Sequence, residues 1–392
     1  MKKVATWCAF LLFFLSKSLL CASAETTADG IPDLTPEIAA VEKELADLIG
    51  AIPPEVAELL PADFFSQDMT AVGEAVREAT APQAIFAAIG RVTGLAIGEN
   101  LSLLAAICGV LLLSATFRQL KDGARLSPET HKALSFCASL SLCVVIVSLQ
   151  RTRFFAISGF FETVKALSVA MLPLMGALYA MGGNIAAAVA NHSVMSVFLT
   201  VLETVIAHTV LPVAGICLCL GLLDALSGKI QLRSLTTLIK RTYTWCFSLL
   251  MLLLCGVLGL QTTLAKGSDG LAMRTVRFAA GSFLPVVGGS VSEALRTVAG
   301  SVGFLRSVAG TMAVLVLFLA FLPIFISVLL NRIVFLLSGA MAKIMGCDNE
   351  EKLLSELASV YGYFLAVIAS LFVTVTFSLT LFARCAVAGG AA

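Results

Sequence analysis

LASVYGYFLAVIASLFVTVTFSLTLFA, residues 357–383, runs for 27 positions without an Asp, Glu, Lys or Arg. A helix needs about 20 such residues to cross a hydrocarbon core about 30 Å thick. Residues 243–265 and 309–331 are two more charge-free runs of this kind, and 166–202 also lacks all four charged types. Working outward, the whole 392-residue chain is 59% hydrophobic and only 13% charged. Soluble domains sit near roughly 45–50% apolar and about 25% charged, so this chain has too few charges to cover its surface in water. The fold class expected is all-α: a polytopic integral membrane bundle of six to eight spans.

The spans can be placed in order. Residues 100–117 exit into a basic loop carrying Arg118, Lys121, Arg125 and Lys132, which fits the cytoplasm under the positive-inside rule. Residues 133–150 return, followed by Arg151 and Arg153. Residues 154–164, two Phe pairs around Ser158-Gly159, read as an interfacial segment, and 166–183 cross again, kinked at Pro173. Residues 193–223 are either one long tilted helix or two short ones broken near His208 and Pro212. Lys229, Arg233, Lys240 and Arg241 favour the cytoplasm and so the broken form, but that leaves Lys266, Arg274, Arg277, Arg296 and Arg306 outside. Charge bias alone does not orient the C-terminal half.

Residues 1–24 read as a secretory signal peptide: Lys2 and Lys3, an apolar stretch, and Ala22-Ser23-Ala24 as cleavage site. An uncleaved first anchor is the alternative. Residues 25–94 form an acidic lead-in, expected outside the cytoplasm. Thirteen of the 25 acidic residues lie between Glu25 and Glu78, against Lys43 and Arg77. Its six prolines keep helices short, with 38–49 and 68–79 as amphipathic pieces and 84–95 at the membrane surface. The polytopic domain is 95–392.

The function classes excluded are several. A net charge of +1 supplies no field for nucleic acid. Gly228-Lys229-Ile230 lacks the first glycine and the hydroxyl of a P-loop, and neither HExxH nor GxSxG occurs. Three histidines far apart in sequence, His131, His192 and His208, argue against a metal or catalytic triad. The eleven cysteines contain no C-x-x-C and lie mostly in apolar runs, where they behave as small hydrophobes. No catalytic, cofactor or metal residue is assigned, and any ATP-driven work belongs to a partner.

Ionisable residues within spans point to pathways or relays. Glu203 and His208 qualify, but five residues apart they fall about 140° apart on a helix and do not form a natural pair. Each is expected to face the bundle interior, a neighbouring helix or a wet cavity. Glu99, at a span edge, is expected only to snorkel. Gly182, Ala186 and Ala190 form a small-residue ladder suited to close helix contact.

The most unusual segment is 274–298, RTVRFAAGSFLPVVGGSVSEALRTV. Its apolar centre is too short to span, and Gly281, Pro285, Gly288 and Gly289 interrupt it. Such backbone survives at membrane depth only where protein or water satisfies it. A re-entrant hairpin follows, anchored by Arg274 and Arg277 before it and Glu293 and Arg296 after it, with an amphipathic surface loop as the alternative.

Residues 274–288, with Gly281, Phe283, Pro285 and Gly288 in the run GSFLPVVG, resemble the signature of the stage III sporulation protein AE family of endospore-forming bacteria. That pattern has Gly-Asn-Phe-Val-Pro-Val-Val-Gly, from which Ser282 and Leu284 depart while keeping similar size and polarity. The layout agrees: leader, acidic lead-in, then a polytopic region with Met171-Leu172-Pro173-Leu174-Met175 and Met181-Gly182-Gly183. The resemblance implies a place in the mother-cell membrane around the forespore, within a channel or secretion-like complex. Implied partners are ring-forming subunits, a secretion-type ATPase and, indirectly, a forespore-membrane protein. The chain would be the pore or export gate. A stand-alone secondary transporter or a scaffold recruiting ring subunits are the other readings, and the acidic lead-in disfavours the transporter.

Overall fold

The computed structural model describes residues 49–50, 52–61, 64, 69–123, 128–181, 193, 196–198, 200–202, 204–227, 233–283 and 288–387. Among these the chain is helical throughout, with no strand. Eight α-helices follow in order: α1 Pro54–Ala57, α2 Met69–Ala79, α3 Pro82–Gly123, α4 Pro128–Met181, α5 Leu211–Ser227, α6 Arg233–Phe283, α7 Gly288–Ile344 and α8 Asp348–Val387. A single wide turn, Ile206–Val210, runs directly into α5. Among the described residues five helices are long and apolar enough to cross a membrane, and His208–Asp224 is a shorter apolar one.

The centre is the α7–α8 hairpin. Over 308–332 and 349–377 no described residue is exposed. Met312, Val316, Phe335, Val360, Tyr361, Phe364, Ile368 and Leu371 are fully enclosed, and α3, α4, α5 and α6 pack around them. The hairpin closes through residues 345–347. Gly346 takes φ 69°, its N–H donates to the Lys343 carbonyl (3.1 Å), and the Cys347 N–H reaches the Ala342 carbonyl (2.8 Å). This is a Schellman cap, with buried Cys347 and Ala342 as its apolar contact. Asp348, Glu350 and Glu351 then occupy the first turn of α8, where carboxylates are favoured by the helix dipole.

The outer helices run further than charge-free stretches indicate. Residues 84–95 are not a separate surface helix. They begin α3, because Ala88, Ile89, Val92, Ala96, Asn100, Leu103, Ile107 and Leu111 form one unbroken inward stripe at helical spacing. Likewise 154–164 is not an interfacial break between two spans. It lies inside α4, whose stripe continues through Ile146, Gln150, Ile157, Phe161, Val164 and Leu167. Ser158 and Gly159 fall off that stripe, so they interrupt nothing. The lead-in helices α1 and α2 pack on α7. Pro173 and Pro323 lie inside α4 and α7.

Replacing Gly346 with Val forces a left-handed conformation that costs roughly 1–2 kcal/mol for an ordinary residue. The thermal midpoint of the detergent-solubilised chain is expected to fall for Gly346→Val and to fall less for Gly346→Asn.

Candidate functional site

In a bundle surrounded by lipid, polar side chains find partners on other helices or remain costly. The described contacts fall into two layers along α8. The first lies near its N-terminus. The buried Glu350 carboxylate accepts from Ser114 of α3 at 2.9 Å, and Arg233 of α6 donates to Ser355 Oγ at 2.9 Å. Lys240 of α6 donates to Glu356, both side chains under 10% exposed. Gly221 of α5 completes this arrangement, since a Cβ there would lie 2.3 Å from Glu356 Cγ. Four helices, α3, α5, α6 and α8, meet here, and Gly221 leaves the room that the Glu356 side chain occupies.

The second layer sits two turns further along. The Tyr361 hydroxyl donates to Gln150 of α4, enclosed by Phe335 at 5.4 Å and Phe154 at 6.4 Å between ring centroids. Arg153, one turn beyond Gln150, bonds Ser327 of α7 at 3.2 Å and pairs with Glu99 of α3 at 3.2 Å. Glu99 therefore does more than snorkel, although its side chain stays 73% exposed. Arg332 lies against Gly362, where a Cβ would come within 3.0 Å of the guanidinium carbon.

The wide turn at His208 belongs to the same framework. Pro212 has no N–H to offer the His208 carbonyl, and the backbone widens to an i→i+5 turn there. Tyr363 donates to the Val210 carbonyl at 3.2 Å, and Thr209 bonds Tyr243 of α6. His208 itself is exposed, its Nδ1 3.0 Å from the Thr204 carbonyl. It does not turn into the bundle, because the helix face packed inward here is that of Ile206, Val210 and Ala214. Glu203 lies outside the described residues.

Of the signature positions, Arg274, Arg277, Gly281 and Phe283 fall on the last turns of α6, and Gly288 and Gly289 on the first turn of α7. Pro285 and the Gly182, Ala186 and Ala190 ladder lie outside the described residues, as does the leader 1–24. Among the described residues, no group of three His, Cys, Asp or Glu side chains could hold a metal ion. Among the described cysteines no disulfide forms, and Cys143, Cys217 and Cys347 are buried.

Sequence reading passed over Lys240 and Glu356. Lys240 counted as one charge of a basic loop, and Glu356 stands one residue before the run 357–383. Glu356 carried a signal, a charge set directly before a long apolar run, whereas Lys240, next to Arg241, carried none, and nothing in the order of residues paired the two.

Three comparisons bear on this architecture. A family model described as Stage III sporulation protein AE matches residues 68–387. The chain is similar to the stage III sporulation protein AE of Bacillus subtilis (strain 168), 24% identical over 156 residues, or 40% of this chain and 39% of that protein. No solved structure matches.

Removing one partner of a buried pair costs about 3–5 kcal/mol, whereas replacing both by apolar residues is often neutral. Lys240→Ala and Glu356→Ala are each expected to lower the thermal midpoint sharply. Lys240→Met with Glu356→Leu is expected to restore most of it, as a double-mutant cycle by differential scanning fluorimetry will read.

Proposed function

The chain belongs to the stage III sporulation protein AE family, and from that premise we propose that it is a non-enzymatic membrane subunit of a conduit linking mother cell and forespore. In this reading it serves as the pore or export gate of a secretion-like complex, alongside ring-forming subunits and an ATPase that supplies the energy. The family match over 68–387 carries the proposal. The polytopic helices and the absence of a nucleotide motif from the sequence support it.

One observation favours the scaffold reading instead. The centre of the described bundle is occupied by α7 and α8, so a passage through a single copy would have to involve other segments. Residues 193–223 and 274–298 are the ones proposed to line it, the latter as a re-entrant hairpin with its break at Pro285 and Gly288.

Cysteine-accessibility mapping in sporulating cells separates the two. A conduit requires positions in both segments that react with water-borne thiol reagents at membrane depth, whereas uniform protection supports the scaffold. In a strain whose own AE-type protein is replaced by this chain, Pro285→Leu and Gly288→Leu are expected to reduce heat-resistant spores to the deletion level while membrane insertion persists. Normal sporulation by both variants removes the functional role of that segment.

A further inference from the structure

Where α3 and α4 meet water and where they meet lipid can be read from their outward faces. On α3, exposed Leu95, Leu101 and Leu113 span about 27 Å at about 1.5 Å per residue. On α4, exposed Phe136, Val144 and Phe155 span about 28 Å on the same basis. Both lengths match a hydrocarbon core of about 30 Å. On α6, exposed Trp245, Leu252 and Leu260 continue the band, with exposed Arg241 one turn before it.

Beyond this band the faces change character. From residue 156 onward α4 exposes Ala156, Gly159, Glu162, Lys165, Ala166 and, of its large apolar side chains, Val169, and buries Ile157, Phe160, Phe161, Val164, Leu167 and Met171. That is the one-sided pattern of a helix facing water. The start of α3 exposes Gln83, Ala87, Gly90 and Arg91, with Phe86 as its one exposed large apolar side chain before Leu95. Helix α2 exposes Glu74, Arg77 and Glu78 while burying Val72, Ala75 and Val76. Arg91 donates to the Glu58 carbonyl at 3.2 Å, tying α3 to the lead-in. The Glu99–Arg153 pair stands at the boundary on both helices.

The opposite rim is fixed by the contacts of α8. Ser114 with Glu350 and Arg233 with Ser355 bring the end of α3, the start of α6 and the α7–α8 turn to one end of the bundle. Residues 118–132, 229–241 and 343–352 together carry ten Lys or Arg, the signature of a cytoplasmic face.

We infer that α3 and α4 are embedded in the bilayer for only part of their length, and that residues 82–94 of α3 and α4 from residue 156 onward, with α1 and α2, form a water-facing cap on the side away from the basic turns. The occupant of the apolar band is lipid acyl chain. Six crossings result: α3, α4, the wide turn with α5, α6, α7 and α8. The start of α3 and the end of α8 then share the cap side.

Tryptophan fluorescence of the full chain in lipid vesicles tests this directly. The sequence holds only Trp7 and Trp245, so Trp7→Phe leaves Trp245 alone, and Trp7→Phe/Trp245→Phe accepts a new reporter. Trp245 and a Val144→Trp reporter are expected to be quenched by phosphatidylglycerol brominated on its acyl chains and to resist acrylamide. Phe86→Trp and Val169→Trp are expected to behave the opposite way. Bromolipid quenching of those two overturns the cap, and resistance of Trp245 and Val144→Trp to both quenchers overturns lipid in favour of a second copy. Carboxylate labelling of the unsubstituted chain needs no variant. Glu162 is expected to react as readily as Glu74, and protection of Glu162 alone overturns the boundary.

Discussion

Helix α8 is enclosed over 349–377, yet it carries Glu350, Ser355, Glu356, Tyr361 and Tyr363, and a buried polar group must be met by a hydrogen-bonding partner. These five reach four elements: Glu350 meets α3, Ser355 and Glu356 meet α6, Tyr361 meets α4, and Tyr363 meets the wide turn before α5. Apolar packing alone would let such helices slide and rotate, because lipid tails are as apolar as leucine and supply no preference. The polar contacts supply it. They set the level at which each helix stands against α8 and so bring three turn regions to the same end.

The two glycines at these contacts show how close the fit is. Gly221 leaves room for the Glu356 side chain and Gly362 for the Arg332 guanidinium. A charged group buried this way is poor evidence for net stability, and its value here lies in register. The hairpin turn works on the same principle at backbone level, using a left-handed Gly346 to reverse direction in three residues.

Much of the architecture was legible in the amino-acid order. Charge-free runs identified a helical membrane protein, Pro212 marked the irregular turn at His208, and residues 274–288 carried the family. Helix ends were less legible. A helix satisfies its backbone hydrogen bonds within itself whatever surrounds it, so α3 and α4 continue through Arg91 and Arg153 without a sequence break. The inward stripe, and not the mean apolar content, decides continuity. The pairing of polar partners was not legible: Lys240 and Glu356 are 116 residues apart, Gln150 and Tyr361 211, and a single sequence does not reveal such pairs.

The unbroken course of α4 has a mechanical consequence. Arg153, held by Glu99 and Ser327, lies near the middle of a rod of 54 residues. The inward stripe of α4 is buried on both sides of that point, Leu142 and Ile146 before it and Ile157 to Leu174 after it, so both stretches are fastened to the bundle as one element, and a substitution that reorients one of them must reorient the other.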